Sequence, residues 1–349
     1  MNADGPVPIV PAVKGVIEMS LIDAYGRKHD YLRVSVTDRC NLRCVYCMGE
    51  EGIEQISHEE IMSYEDMIKV IRAGTELGIS KIRVTGGEPL VRLGIVHFLR
   101  EIAALPGVSD LALTTNGILL SRYAAELKAA GLHRVNVSLD SLKPDVYHSI
   151  TRCGKLDDVL AGISAALEHN LQPLKINVVL MKGINDGEVD DFLRLTLKKP
   201  LHIRFIEYMP IGDHDHSYSS HYLPLSFVEE RAKKAGLPLT AAPIYRGPGP
   251  ADYYTLPGGK GTIGLIHAIS RHFCSTCNRL RLTAEGNLKA CLYWQEEKSV
   301  RPVIDDPEAL KALYREVLAA KPAEHQMASN GRCGALQPGA MRGMSKTGG

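Results

Sequence analysis

No uninterrupted apolar run reaches the roughly 18 residues that a membrane-spanning helix needs. Charge of one sign is also missing. The 41 Lys and Arg are balanced by 40 Asp and Glu, giving a formal +1 at pH 7. That balance excludes a global basic field for bulk nucleic-acid or membrane-surface binding and confines any anion site to a local cluster. The opening MNADGPVPIVPAVKG has neither the basic-then-apolar order of a signal peptide nor an Arg-rich amphipathic presequence. A cytoplasmic protein is therefore expected, with no membrane and no nucleic-acid partner. Eight cysteines in 349 residues are too sparse for a disulfide scaffold. In a reducing compartment, closely spaced cysteines read instead as metal ligands or redox groups, and six of the eight are closely grouped. No internal repeat is evident. The composition that remains, 45% hydrophobic and 23% charged, is that of a globular chain, long enough for two domains at ~150 residues each.

Six β-branched-rich runs read as strands: 32–37, 81–85, 111–115, 134–139, 174–180 and 202–208. Between most of them apolar residues recur at helical spacing, as in Tyr64, Met67, Ile68, Ile71 and Leu77, or Ile95, Phe98, Leu99 and Ile102. Such alternation predicts βα units on a parallel sheet, either open and doubly wound or a barrel two units short of eightfold. Polar and Gly-rich segments follow the strands: Asp38 and Arg39, GGEP at 86–89, TTNG at 114–117, SLDS at 138–141 and EYMP at 207–210. In parallel α/β folds the C-terminal strand ends gather the working site, so these loops are expected at one mouth. The alternation stops after residue 210, which sets a domain boundary near Met209. A tail over 322–349, with Gly331, Gly334, Gly339, Gly343, Gly348 and Gly349, reads as coil or a flexible segment.

Cys40, Cys44 and Cys47 form C-x3-C-x2-C directly after the first strand. Three thiolates on one loop hold three irons of a cubane cluster and leave the fourth iron open to a small molecule. The competing reading is a structural zinc site, which wants four closed ligands where the loop offers three. Cys274, Cys277 and Cys291 form C-x2-C-x13-C, again three donors. Here the alternatives are a second open cubane or a zinc ribbon completed by Cys333, His267 or His272. Arg279 and Arg281 follow Cys277 at i and i+2, on one face of an extended segment, where guanidinium groups suit multidentate capture of phosphate. A solvated strand face is the plain reading of the same run. His214, His216 and His221 read as loop histidines rather than a metal site, and Cys153 and Cys333 as free thiols.

The first triplet, with Tyr46 before its third Cys and GGEP after the second strand, resembles the defining motif of the radical S-adenosylmethionine superfamily. Joined to the C-terminal C-x2-C-x13-C, the NRLR segment and a terminal Gly-Gly, it is similar to one family within it, the GTP 3′,8-cyclases of molybdenum cofactor biosynthesis. The likeness runs from about Asp23 to Gly349 and includes LRVSVTDRCNLRCVYCM, KIRVTGGEPLVR, LTTNG, RVNVSLDSL, INVVLMKGIND and HIRFIEYMP.

The resemblance implies an incomplete (β/α)6 TIM-like barrel with a C-terminal extension carrying a second iron-sulfur cluster. The expected division is an N-terminal extension over 1–22, the partial barrel over 23–210, an auxiliary-cluster and GTP-binding region over 211–321, and the tail over 322–349. Two [4Fe-4S] clusters are implied, one on Cys40, Cys44 and Cys47 that cleaves S-adenosylmethionine, one on Cys274, Cys277 and Cys291 that meets GTP. Tyr46, Gly87, Ser138 and Met209 are expected around S-adenosylmethionine. Arg33, Arg83, Thr114, Lys175, Arg204, Arg279 and Arg281 are expected around GTP, with Gly348 and Gly349 reaching into the active site. The implied product is 3′,8-cyclo-7,8-dihydro-GTP. The implied partners are an external electron donor, a cyclic pyranopterin monophosphate synthase that receives the product, and a second copy in a homodimer. Two other readings remain: a radical S-adenosylmethionine peptide maturase with an auxiliary cluster, and a zinc-ribbon binding protein without catalysis.

Overall fold

The computed structural model describes residues 20–53, 55–211, 218–242, 249–327 and 343–347. Strands and helices alternate as β1 (Tyr31–Ser35), α1 (Tyr64–Glu76), β2 (Lys81–Thr85), α2 (Ile95–Ala103), β3 (Asp110–Thr115), α3 (Leu120–Ala129), β4 (Arg134–Ser138), α4 (Pro144–Thr151), α5 (Leu156–Glu168), β5 (Lys175–Leu180), α6 (Val189–Lys198) and β6 (His202–Glu207). All six expected strands are present. The first ends at Ser35 rather than 37 because the chain there leaves the ladder for the cysteine loop, with Val36 N still donating to Thr85 O at 2.9 Å. These strands pair in parallel and in sequence order.

Local chemistry accounts for the alternation. In β1, Leu32 and Val34 are fully buried in the same apolar cluster as Val70 and Ile71 of α1, while Tyr31 and Arg33 line an interior cavity. The period of two thus sends aliphatic side chains to the helix layer and polar ones inward. Ser63 caps α1 by accepting a hydrogen bond from Asp66 N, and Glu65 and Asp66 complement the helix dipole at that end. Met67, Val70, Ile71 and Gly74 form the buried face of α1. Phe98 of α2 and Phe192 of α6 are fully buried in the same cluster, so truncating either to Ala costs about 3–5 kcal/mol.

The C-terminal region adds α7 (Tyr218–His221), α8 (Ser226–Lys234), β7 (Thr240–Ala241), β8 (Asp252–Thr255), β9 (Thr262–Ile266), β10 (Arg279–Leu282), β11 (Asn287–Lys289), β12 (Glu297–Ser299), α9 (Pro307–Ala319) and α10 (Met344–Thr347). Its strands extend the same sheet, in the order β12-β11-β10-β1-β2-β3-β4-β5-β6-β9-β8-β7. Here the structure departs from a six-stranded parallel run. β9 lies parallel to β6 and β10 parallel to β1. Alternation could not reveal them, because each has an antiparallel neighbour, β8 or β11, in place of a crossover helix. Among the described residues β9 and β10 do not pair with each other, and the sheet stays open.

α9 returns to the beginning of the fold. Asp306 caps it, and the fully buried Tyr314 donates its hydroxyl to Val70 O of α1 at 3.1 Å. The tail differs from the coil expected of it: Met344–Thr347 is a short helix, with Thr347 buried and its carbonyl accepting from Arg281 Nη1 at 3.3 Å. Burial against that guanidinium orders a segment whose composition alone reads as coil. No helix among the described residues is long and apolar enough to cross a membrane.

Candidate active site

One cavity of about 260 Å³ is lined by residues of β1 through β6 and β10, so the sheet wraps around it. Cys40, Cys44 and Cys47 line it just beyond the end of β1. Their loop is clipped to the end of α4: Arg43 N donates to Thr151 O (3.1 Å), Val45 N to Ile150 O (2.9 Å), and Arg152 Nη1 to the carbonyls of Arg43 and Met48 (3.0 Å each). Leu42 N lies 3.4 Å from Cys40 Sγ and Asn116 Nδ2 3.9 Å from it, two N–H groups directed at sulfur. Burial pushes the Cys40 thiol up to about 11 and the Cys44 thiol well above its ordinary value, with Cys47 and Asp140 adding to the latter.

The GGEP turn packs on this loop. Gly87 N donates to Thr37 O at 2.6 Å, and a Cβ on Gly87 would lie 2.3 Å from Arg39 O, so any side chain would force the two segments apart. Two carboxylates sit at this end. Glu88 accepts from Leu90 N, Thr115 Oγ1 and Asn116 N, and burial raises it to about 7. Asp140 accepts from the Tyr46 hydroxyl at 2.7 Å and Val179 N at 2.8 Å, and burial raises it to about 6. Tyr46, Gly87, Ser138 and Met209 all line the cavity.

The cations come from successive strands. Arg33 stands opposite Arg83 on one side and Arg281 on the other, and Arg279 is paired in register with Tyr31. Arg33, Arg83, Arg204, Arg279 and Arg281 line the cavity together with Thr114. Burial lowers Arg83 to about 10 and, with Arg279 beside it, Arg281 to about 10; Arg33 falls well below the ordinary guanidinium range. Arg204 is held by neutral groups, Nε donating to Asn177 Oδ1 (2.9 Å) and Nη2 to Asn136 Oδ1 (3.0 Å). Gly264 of β9, opposite Arg204, makes room for it: a Cβ there would lie 2.9 Å from Arg204 Cγ.

Pairing with Glu88, Asp140 or Glu207 does not account for Arg83, Arg204 or Arg279. Glu207 accepts from Ile269 N, Ser270 N and Ser270 Oγ; against burial, which raises it, His267 first and then these donors hold it down to about 2. Among the described residues no ion pair joins Arg83, Arg204 or Arg279 to a carboxylate. Among the described residues, buried polar atoms of four cavity-lining side chains, Tyr31 Oη, Thr114 Oγ1, Arg83 Nε and Arg279 Nε, have no hydrogen-bond partner. Unsatisfied buried donors along a cavity wall fit a polar ligand there.

Lys175 shares the β4–β6 layer, in register with Asn136 and His202, but is not among the cavity-lining residues. Its ammonium lies 5.8 Å from the Tyr253 ring centroid, and burial, with Arg204, Arg134 and Arg83 around it, lowers it to about 6.

Cys274, Cys277 and Cys291 lie outside the lining too, although their neighbours Phe273, Arg279 and Leu292 are in it. Cys274 and Cys277 flank a short 3-10 turn closed by Cys277 N to Cys274 O (3.1 Å), and Cys291 follows β11. Burial raises the Cys274 thiol. At Cys277 burial acts the same way, but Lys321 and Arg279 outweigh it and lower the thiol.

Among the described residues no three His, Cys, Asp or Glu side chains converge to hold one metal ion, as a closed zinc site requires. A cubane spreads three thiolates over three irons, and three thiols are the donor set that each group offers. Cys153 is exposed, its Sγ 3.5 Å from Asn41 O, and His221 Nδ1 is 3.0 Å from Lys182 O. His214, His216, Cys333, Gly348 and Gly349 lie outside the described residues, although Met344, near the end of the tail, lines the cavity.

Tyr31, Asp140 and Asn177 also line the cavity. The signal for them was in the strands: Tyr31 is two residues before Arg33, Asp140 two after Ser138 and Asn177 two after Lys175, each on the same face as a residue already singled out.

Fold and site together define a class. The pattern of the Radical SAM superfamily matches residues 34–196, and that of Molybdenum Cofactor Synthesis C residues 201–327. Among solved structures, Streptococcus suis SuiB bound to S-adenosylmethionine superposes with a TM-score of 0.59 at 14% identity, over 83% of this chain and 69% of that one. SuiB bound to the precursor peptide SuiA gives 0.59 at 13% identity, and there this chain spans 65% of the other's length. That likeness establishes the fold. Sequence relatives narrow the class: the GTP 3′,8-cyclase of Heliobacterium modesticaldum is 50% identical over 314 residues, 89% of this chain and 96% of its own. That of Listeria monocytogenes is 50% identical over 308 residues (88% and 92%), and that of Geobacter sulfurreducens 47% over 315 (89% and 95%). The chain belongs to the GTP 3′,8-cyclase family of radical S-adenosylmethionine enzymes.

Proposed function

We propose that the protein converts GTP to (8S)-3′,8-cyclo-7,8-dihydroguanosine 5′-triphosphate, the first step of molybdenum cofactor biosynthesis. The observation that carries this reading is a single cavity lined by a thiol triplet and Asp140 at one end and by a cluster of arginines from successive strands at the other, of which Arg83, Arg204 and Arg279 pair with no carboxylate among the described residues. Cys40, Cys44 and Cys47 would hold one [4Fe-4S] cluster and Cys274, Cys277 and Cys291 a second. With these groups bound, the site gains one-electron cleavage of S-adenosylmethionine and abstraction of the ribose 3′ hydrogen of GTP.

The chain's own part is to bind, orient and exclude water. Tyr46, Gly87, Ser138 and Met209 line the side where S-adenosylmethionine would sit. Arg33, Arg83, Arg204, Arg279 and Arg281, with Thr114, would form the cradle for the triphosphate, and Lys175, outside the lining, would act on it from the same strand layer. Guanidinium groups spread over several strands fix a polyanion in one orientation, which holds ribose C3′ and guanine C8 at reacting distance. A wrapped sheet around the cavity keeps solvent and other hydrogen donors away. Gly348 and Gly349, following the Met344–Thr347 turn, would close the site. The reading extends to a cytoplasmic setting, an external electron donor, a homodimer, delivery of product to a cyclic pyranopterin monophosphate synthase, and a division into a partial barrel over 23–210 and an auxiliary region over 211–321.

An anaerobic assay tests it. The reconstituted, reduced protein should release 5′-deoxyadenosine from S-adenosylmethionine in a GTP-dependent manner and form a new product of GTP's mass. Release indifferent to GTP would move the substrate to the peptide-maturase reading, and no release from cluster-loaded protein would overturn the enzyme reading.

A further inference from the structure

Lys321 follows α9 and is 4% exposed. Its ammonium donates to Arg279 O at 2.8 Å and Ala290 O at 2.7 Å, and lies 3.6 Å from Cys277 Sγ. Arg279 is two residues after Cys277, and Ala290 immediately precedes Cys291. One buried cation is thus tied to two of the three cysteine positions in the second triplet. The third is held by another: Arg27 Nη1 donates to Cys274 O at 2.8 Å, and its Nη2 to Pro322 O, next to Lys321, at 2.7 Å.

The two cations differ in what balances them. Arg27 pairs with the buried carboxylate of Asp23 through Nε at 2.5 Å. Among the described residues Lys321 has no ion pair with any carboxylate. Taking an ammonium out of water costs several kcal/mol unless negative charge meets it. The sulfur of Cys277 is the group placed to do so. At Cys40 the side chain directed at sulfur is the neutral Asn116, while Arg43 Nη1 donates to the Cys40 carbonyl at 2.8 Å.

We infer that Lys321 is the built-in counter-charge of the cluster held by Cys274, Cys277 and Cys291, stabilising its reduced form and positioning Cys277 and Cys291 around it. The inference rests on the proposed cluster at that triplet. Reduction adds one electron and no proton, and no bond breaks, so the gain in negative charge is met by a fixed cation and an N–H directed at sulfur. Net charge and hydrogen bonds to sulfur are the protein's levers on the potential of such a cluster.

The test uses the full-length chain with Cys40, Cys44 and Cys47 each changed to Ala, so that one cluster reports. Lys321→Met and Lys321→Arg are built in that background and reconstituted. Iron and sulfide are counted, and the midpoint potential is read by EPR during stepwise reduction with dithionite. The inference expects a more negative midpoint in Lys321→Met and one near the parent in Lys321→Arg; loss of iron in Lys321→Met alone supports it equally. Lys321→Met with full iron and an unchanged midpoint overturns it, as does equal failure of both variants, which would make the lysine a shape-specific anchor. A parent that binds no iron would instead remove the cluster reading on which the inference stands.

Discussion

Around Cys40, Cys44 and Cys47 the charged neighbours include two buried carboxylates, Glu88 and Asp140, besides Arg43 and Arg152 on the loop's carbonyls, whereas around Cys274, Cys277 and Cys291 they include the cations Arg27, Lys321, Arg279 and Arg281. The donors are the same three thiols in each case. Only the surroundings differ, and the contrast shows at one thiol: burial raises Cys40 to about 11 and also raises Cys274, while at Cys277 Lys321 and Arg279 outweigh burial and lower it. A site whose neighbours are anionic suits a cationic ligand such as the sulfonium of S-adenosylmethionine; one whose neighbours are cationic suits a triphosphate. Under the proposed assignment, two similar thiol triplets would take different partners because of residues that are not themselves cluster ligands.

The largest effect expected from breaking this contrast comes from the thiols. Cys44→Ala should reduce S-adenosylmethionine cleavage to background while leaving GTP binding measurable. Cys277→Ala should keep the first cluster's iron and some cleavage, but yield no cyclised nucleotide. Iron content, 5′-deoxyadenosine and nucleotide product, each measured for both variants, check the pair. Identical losses in both would show that the triplets do not divide the work.

Next in size are the guanidinium groups. Arg204→Ala and Arg83→Ala each remove a charge-assisted contact to the proposed triphosphate, worth about 1.5–3 kcal/mol, or about 10- to 100-fold in affinity. Calorimetry with GTP reads this directly. The affinity for S-adenosylmethionine should stay within about twofold, because that ligand is assigned to the opposite end of the cavity. A loss for both ligands would mean that the substitution collapsed the cavity wall rather than one pole of it.

That Arg33, Arg83 and Arg204 face one cavity was legible because they sit in runs whose period of two and β-branched content mark strands, and a cation in a buried parallel strand calls for a partner; Lys175, read the same way, falls outside the lining. The mouth was legible from the segments after each strand. What stayed hidden depends on long-range placement. β9 and β10 join the parallel run through antiparallel neighbours, a route that no local pattern encodes. Lys321 bonds Arg279 across 42 positions and Arg27 bonds Cys274 across 247, so their place beside the second triplet exists only once the sheet has formed. Thr347 reads as tail until Arg281 is seen to hold its carbonyl.

Lys175, proposed for the cationic pole but outside the cavity lining, tests that pole through its proton. Burial and the neighbouring arginines lower it to about 6, so at pH 7.5 the unliganded side chain is mostly neutral. A triphosphate would restore the charged form. GTP binding should therefore take up a proton between about pH 6 and the ordinary lysine value near 10.5, and affinity should fall as pH rises through that window, by at most about tenfold per unit. Calorimetry in two buffers of different ionisation enthalpy measures the uptake, and Lys175→Met should remove it. Uptake unchanged in that variant would assign the proton to the nucleotide itself.

The smallest effect is expected at the anionic pole, in the pair Tyr46 and Asp140. The Tyr46 hydroxyl donates to Asp140 Oδ2 at 2.7 Å, and Asp140 Oδ1 accepts from Val179 N at 2.8 Å, so one carboxylate ties the cysteine loop to β5. Tyr46→Phe leaves a buried carboxylate oxygen without its donor, a cost of about 1–3 kcal/mol. Asp140→Asn keeps the shape and removes the charge. If the two side chains act only through each other, the double variant costs less than the sum of the singles, with a coupling of about 0.5–3 kcal/mol in denaturant unfolding. Affinity for S-adenosylmethionine should weaken a few-fold in either single variant, in step with the loosened loop, while GTP affinity holds. Additive costs would show that the bond does not couple the loop to the sheet, and an equal loss of GTP affinity would remove the distinction between the two ends of the cavity.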